Sequence, residues 1–213
     1  MPQIPHSGRP AEGAAGKLAR RAWLCVLSAC WLGAVAAGLS IVRAYDNAPG
    51  VSADAPARWP AGTRLVPATS GPTLVMLAHP MCPCTRASLG ELAEALARSN
   101  GAAKTYVLFI RPAGFAEGWE QSDLWQQAAG IPGVTPVRDD RGVEAERFGT
   151  STSGQTLLYG ADGRLLFSGG ITGSRGHAGD NAGRDGLVAL LTRAGSGRTR
   201  ASVFGCPLFA RGL

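Results

Sequence analysis

The chain lacks the phosphate loop GxxxxGK[ST] and any GxGxxG dinucleotide fingerprint, so nucleotide binding has no support. Aromatics are only 7% of its residues, with no RNP-like pattern and no dense basic helix, which argues against nucleic acid as a partner. There is no CxxC anywhere, and no second close cysteine pair to complete a four-sulfur metal site. Charged residues are 17% and hydrophobic ones 45%, which excludes a disordered chain and provides for a real core. A length of 213 residues fits one domain with appendages. The formal charge of +6 comes from an arginine-rich composition with basic residues at both ends.

What is present begins with a long apolar run. Residues 22–42 read AWLCVLSACWLGAVAAGLSIV, 21 residues without a charge. A helix needs about 20 residues to cross the hydrocarbon core of a bilayer. Arg9, Lys17, Arg20 and Arg21 precede the run, against Glu12 alone, and Arg43 and Asp46 follow it. The positive-inside rule then puts residues 1–21 in the cytoplasm as a tail, residues 22–42 in the membrane, and the rest outside. In a bacterium that is an inner-membrane protein with its domain facing the periplasm. A cleaved signal peptide, with AVAAG as its processing site, and a buried helix of a soluble protein are the competing readings. Cys25 and Cys30 read as small, apolar-tolerant residues of the span.

Residues 43–71, rich in Pro, Ala, Gly and Asp, read as a linker and N-terminal extension, with a short edge strand expected at Arg64-Leu65-Val66. Residues 72–195 carry the regular pattern. TLVMLA (residues 73–78), bounded by Pro72 and Pro80, and KTYVLFI (104–110) predict buried strands. Between them residues 85–99 predict a helix with Leu89, Leu92, Ala93 and Leu96 inward, Glu91, Glu94 and Arg98 toward water, and Asn100-Gly101 closing it. Helices are also expected over residues 116–129, 141–148 and 180–194. QTLLY (155–159) and RLLF (164–167) around Ala161-Asp162-Gly163 predict a β-hairpin. The order βαβα, hairpin, α predicts an α/β fold: a mixed central sheet with helices on both faces. Residues 196–213 form a tail carrying Cys206.

The chemistry centres on His79-Pro80-Met81-Cys82-Pro83-Cys84, at the junction of the first strand and its helix. Reactive groups favour the carboxyl ends of strands in such sheets. A helix N-terminus offers unpaired N–H groups and partial positive charge, which favour a thiolate. Cys82 and Cys84 are therefore candidate catalytic thiols, with Arg86 as a source of positive field and His79 as a tuning or proton-transfer group. A strained disulfide between close cysteines would exchange readily. Two other readings stay open: a soft-metal site for Cu(I), with candidates Cys82, Cys84, His79, His177 and Cys206, and an inert pair. Cys206, in VFGCPL, either resolves a disulfide on Cys82 or Cys84, joins them around a metal, or is inert. Residues 169–184, GGITGSRGHAGDNAGR, concentrate Arg175, His177, Asp180, Asn181 and Arg184. They read either as a solvated loop with a helix cap at Asp180 or, with Gln155, as a site wall near the cysteines.

Over residues 60–195 the order of elements, with cysteines at the first helix, resembles the thioredoxin fold. HPMCPCTRAS, TSGQTLLY, GGITGSRGHAGDNAGR and FGCPL together resemble the bacterial RedB-type proteins, membrane-anchored thioredoxin-like proteins of the periplasm. The resemblance implies thiol–disulfide chemistry with a redox partner protein or a small thiol and no required cofactor, copper being the one to test. Two departures stand out. Aligning Pro83-Cys84 with the Pro-Cys of the usual CxxC puts Met81 where the nucleophile belongs, so its role falls to Cys82. Gln155 stands where that fold places a cis-proline facing the cysteines. Metallochaperone or assembly factor, and non-catalytic binding module, are the alternatives to an oxidoreductase.

Overall fold

The computed structural model describes residues 13–51, 54–193 and 197–209. The chain divides into two units, Met1–Ala44 and Tyr45–Leu213. The first is dominated by α1 (Ala14–Asp46), which extends the apolar run by about two turns at its start. It is long and apolar enough to cross a membrane or to serve as a signal sequence. Of the expected cytoplasmic tail, residues 1–12, which include Arg9 and Glu12, lie outside the described residues.

The second unit is an α/β domain around one mixed five-stranded sheet of order β3-β2-β1-β4-β5. Its strands are β1 (Thr73–Ala78), β2 (Lys104–Arg111), β3 (Val134–Asp140), β4 (Thr156–Tyr159) and β5 (Leu165–Gly169). β1, β2 and β3 run parallel, and β4 and β5 pair antiparallel beside β1. The helices are α2 (Pro83–Arg98), α3 (Asp123–Ala129), α4 (Val143–Arg147) and α5 (Ala182–Thr192).

Strand alternation builds two cores. Leu74, Met76, Val107 and Phe109 face Leu89, Leu92, Leu124 and Leu187 of α2, α3 and α5. Val75, Leu77, Tyr106 and Leu108 face the other way, toward Phe148, the N-terminal extension at Leu65 and the tail at Leu208. Both faces of β1 are fully covered, so its six residues are all apolar or buried through a hydrogen bond, as with Thr73.

Several expectations are corrected. β3 is an additional edge strand: Pro136 and the polar run Arg138-Asp139-Asp140 hid it, and an edge position tolerates both. Residues 64–66 form no strand; the extension instead touches the hairpin through a bridge between Arg58 and Arg164. α3 begins at Asp123, because turns at Gly114 and Gly118, both with positive φ, break the segment before it. α5 is capped by Asn181, whose side chain accepts from Arg184 N, and not by Asp180. Glu91, expected to face water, is 3% exposed. Ala194, at the expected end of that helix, lies outside the described residues.

Candidate functional site

β1 ends at Ala78, and the chain turns through His79–Met81 into α2. Cys82 is the N-cap residue, extended at φ −104° and ψ 125°, and Pro83 follows at the first helical position. Proline suits that place because its missing N–H would have no partner there and its φ is already helical. Cys84 follows within the first turn, and the backbone N–H groups of Cys84 and Thr85 at the helix start serve the Cys82 sulfur.

A small hydroxyl cluster holds this turn. His79 N donates to Thr85 Oγ1 (3.2 Å) and to Ser153 Oγ (3.1 Å), and the two hydroxyls lie 2.6 Å apart. Thr85 Oγ1 also donates to His79 O at 2.9 Å. Met81 N donates to His79 Nδ1 at 3.2 Å, which leaves the ring hydrogen on Nε2. Burial lowers the pKa of His79, with the charge on Cys82 opposing. Its ring stands edge-on to Trp119. Met81 is 65% exposed, whereas Cys82 and Cys84 are 3% and 4% exposed.

The tail supplies the third thiol. Cys82 Sγ lies 3.1 Å from Cys206 Sγ, and the sulfurs of Cys82, Cys84 and Cys206 all fall within 4.8 Å of one another. Ser153 ties both sides together. Its hydroxyl reaches the β1–α2 turn, and its N–H donates to Cys206 O at 2.9 Å.

Charge concentrates on Cys82. Its pKa is pulled down to about 4, first by hydrogen bonding from the Cys84 thiol, against the effect of burial, and further by the Cys206 thiol and the backbone N–H groups of Thr85 and Cys84. Cys84 is raised, because it gives its hydrogen to Cys82 and is buried. Cys206 is raised to about 11 by burial first and by its bond to Cys82 second. The three titrate as one set, with the first proton leaving Cys82.

The other sequence candidates divide. Arg175 lies beside the third thiol: Nη1 donates to Gly205 O and Nε to Ala48 O at 3.1 Å, and its charge favours the Cys206 thiolate. The N–H of Gly176 serves Cys84. His177 is exposed, with Nδ1 2.6 Å from Arg175 O. Asp180, Asn181 and Arg184 gather instead round Glu91, where Arg184 bonds both Glu91 and Asp180 and Asn181 bonds Ile171 O. Arg86 pairs with Asp123 at the surface. Gln155 is 1% exposed and its Oε1 has no partner among the described residues. It lines a cavity of about 360 Å³ with Arg198, Arg200 and Ser202, and no cysteine lines that cavity. No cis peptide occurs among the described residues.

Sequence reasoning missed Thr85, Ser153, Glu91 and Gly205. The first two sit inside segments singled out for other residues, CPCT and TSGQ, and a hydroxyl there carries no signal of its own. Three sulfurs this close could also hold a soft metal ion, with thiolate as the favoured donor for Cu(I).

Solved structures share the fold. A hypothetical protein from Sinorhizobium meliloti 1021 is similar with a TM-score of 0.57 at 18% identity, over 78% of this chain and 100% of that one. An uncharacterized conserved protein from Geobacillus kaustophilus gives 0.54 at 16% identity, over 78% and 95%. The N-terminal domain of PilB from Neisseria gonorrhoeae gives 0.39 at 21% identity, over 58% and 76%. At these identities the first two likenesses are likenesses of fold, and the third carries no argument. No protein-family model and no curated protein matches the chain.

Proposed function

We propose that the protein is an exported, membrane-anchored thiol–disulfide oxidoreductase that exchanges with a protein or small-thiol partner, with Cys82 as the sulfur at which the disulfide forms and breaks. The observation that carries this reading is the Cys82 sulfur itself, set at a helix N-terminus, 3.1 Å from the sulfur of Cys206 and within 4.8 Å of that of Cys84. A thiolate stabilised in this way is both the species that attacks a disulfide and a good leaving group from one. Forming a disulfide within the cluster passes two electrons to the partner disulfide, whose two sulfurs leave as thiols. His79 would accept a proton only by giving up the Met81 N–H bond, so we give it a positioning role in the turn that precedes Cys82. Arg86, held by Asp123, is a surface residue of the same helix turn in this reading.

The anchor follows from α1. The Lys17, Arg20 and Arg21 cluster before its apolar stretch supports a cytoplasmic N-terminus and a domain on the periplasmic side of a bacterial inner membrane. The motifs HPMCPCTRAS and FGCPL support kinship with RedB-type proteins, and their two cysteine segments meet at the sulfur cluster.

The test is a redox titration of the purified chain against glutathione buffers, with the thiols of each sample trapped and counted. A single two-electron equilibrium is expected, and it disappears in Cys82→Ser. A protein whose thiol count never changes, and which exchanges with no disulfide, is not an oxidoreductase. The three-sulfur grouping also supports a second reading, a Cu(I) carrier. Anaerobically purified, reduced chain would then hold one copper per chain by elemental analysis, and a metal-free preparation that takes up no Cu(I) ends that reading.

A further inference from the structure

Cys206 is more than a neighbour of the helix thiols. The tail that carries it is laid down residue by residue. Ser168 N donates to Thr199 O (3.0 Å), Gly50 N to Val203 O (2.7 Å), Ser153 N to Cys206 O (2.9 Å) and Leu208 N to Ser151 O (2.8 Å). Thr152 and Pro207 form a bridge. Glycine makes the close approach possible: a Cβ on Gly205 would stand 1.9 Å from Ser153 O, and one on Gly169 would stand 2.6 Å from the backbone of Ala201. The tail is therefore seated on the sheet, and the place of the Cys206 sulfur beside Cys82 is set by backbone bonds on both sides of it.

Access is unequal among the three sulfurs. Cys82 and Cys84 are buried, and Cys206 is half-buried. Its two chain neighbours, Gly205 and Pro207, line a cavity of about 340 Å³ with Pro49, Val51, Arg175 and Phe209. The walls are mostly apolar, with one guanidinium at Gly205 O. None of the three cysteines itself lines this cavity; what brings Cys206 to its edge is the placing of Gly205 and Pro207 in the wall. Of the three, Cys206 alone is not fully buried, so it is the cysteine that a partner's sulfur can reach with the least displacement of the fold.

Resting on the redox reading, we infer that the working disulfide joins Cys82 to Cys206, and that the partner enters at Cys206. The bond needs the two sulfurs to close by only about 1 Å from their present contact. In the exchange, a partner thiolate attacks Cys206 Sγ. A bond forms between the partner sulfur and Cys206, the Cys82–Cys206 bond breaks, and the electron pair leaves on Cys82 Sγ. That sulfur stays in place, hydrogen-bonded by the N–H groups of Cys84 and Thr85 and by the Cys84 thiol. The partner's second thiolate then attacks its own mixed sulfur. It forms the partner disulfide and releases Cys206, which takes a proton from water. The protein has gained two electrons and the partner dithiol has lost them. Cys206 is thus a catalytic residue of the exchange, and Cys82 is its internal leaving group.

The experiment uses the full chain in detergent. It is oxidised with oxidised glutathione, and its disulfides are mapped by mass spectrometry. The oxidised chain is then mixed with reduced glutathione, quenched in acid and digested. The expected link is Cys82–Cys206, and the expected glutathione adduct is on Cys206. Cys206→Ser should slow the exchange at least tenfold, with Cys206→Ala matching it and both variants keeping cooperative thermal unfolding. A dominant Cys82–Cys84 link, an adduct on Cys82, or wild-type exchange in folded Cys206→Ser overturns the inference while leaving the redox reading standing. Absence of exchange at every cysteine removes both.

Discussion

Arg184 of α5 donates from Nη1 to Glu91 Oε2 of α2 at 2.7 Å, with both side chains 5% exposed. The other Glu91 oxygen accepts from Gly179 N at 2.6 Å. One buried carboxylate therefore joins two helices and pins the glycine-rich loop whose Gly176 N–H serves Cys84. Breaking such a pair from one side leaves an uncompensated charge in the core. Arg184→Met, which strips the buried Glu91 of its cation, should cost about 3–5 kcal/mol of stability in chemical denaturation, and Glu91→Gln should cost less because Arg184 keeps Asp180. The double variant Glu91→Leu with Arg184→Met should recover most of that loss, because no charge is then left alone. Single variants with wild-type midpoints would show that the pair is not needed to hold the loop.

The pH dependence of the reduced protein follows from its thiols. Folding lowers Cys82 from 9.0 to about 4. The stability this brings is fully present above the unfolded value and is lost as pH falls through the folded one, because in between only the unfolded chain keeps the proton. Cys206, raised from 9.0 to about 11, runs the other way: its contribution is present below the unfolded value and lost as pH rises through the folded one. The reduced chain's Tm should therefore rise between about pH 5 and pH 8 more steeply in wild type than in Cys82→Ser. Equal slopes in the two proteins would place the thiolate elsewhere.

Gly205→Ala puts a methyl group where Ser153 O already stands, 1.9 Å from the new carbon. The tail must lift at that point. A stability loss of about 1–3 kcal/mol is expected, typical of forcing extra volume into a packed site. Maleimide should label both Cys206 and Cys82 faster than in wild type. Unchanged labelling would show that the tail accommodates the methyl without leaving the sulfurs.

Thr85→Val keeps the shape of the side chain and deletes its hydroxyl. Ser153 Oγ then loses its 2.6 Å partner, while His79 N keeps Ser153 as an acceptor. A cost of about 1–3 kcal/mol is expected for leaving buried polar groups short of a bond. Because this hydroxyl also fixes the turn before Cys82, hydrogen exchange at Met81 and Cys82 should quicken along with the lower Tm.

Much of the fold was legible in local pattern. β1 and β2 announced themselves as short apolar runs, and the hairpin by its Asp162-Gly163 turn. β3 did not, because an edge strand may carry Pro136 and charges on its open side. Glu91 reads as solvent-facing from its own helix, since the arginine that justifies its burial comes 93 residues later. The site was half visible. The helix cysteines follow from strand-to-helix placement, a local property. Cys206 joins them through a tail path set by Gly205, Gly169 and backbone bonds, and no local spacing encodes such a path.

The 124-residue separation of Cys82 and Cys206 has its own consequence. A bond between neighbours such as Cys82 and Cys84 ties off a tiny ring and restrains the unfolded chain little. A bond to Cys206 would loop nearly the whole domain, removing unfolded-state entropy worth about 4–5 kcal/mol at this loop size. By linkage, whatever the clasp adds to the fold, the fold adds to the clasp. The stability difference between the oxidised and the reduced domain would then equal the difference in the disulfide's reduction free energy between the folded and the unfolded chain, so a core substitution shifts the potential only where it destabilises the two forms unequally.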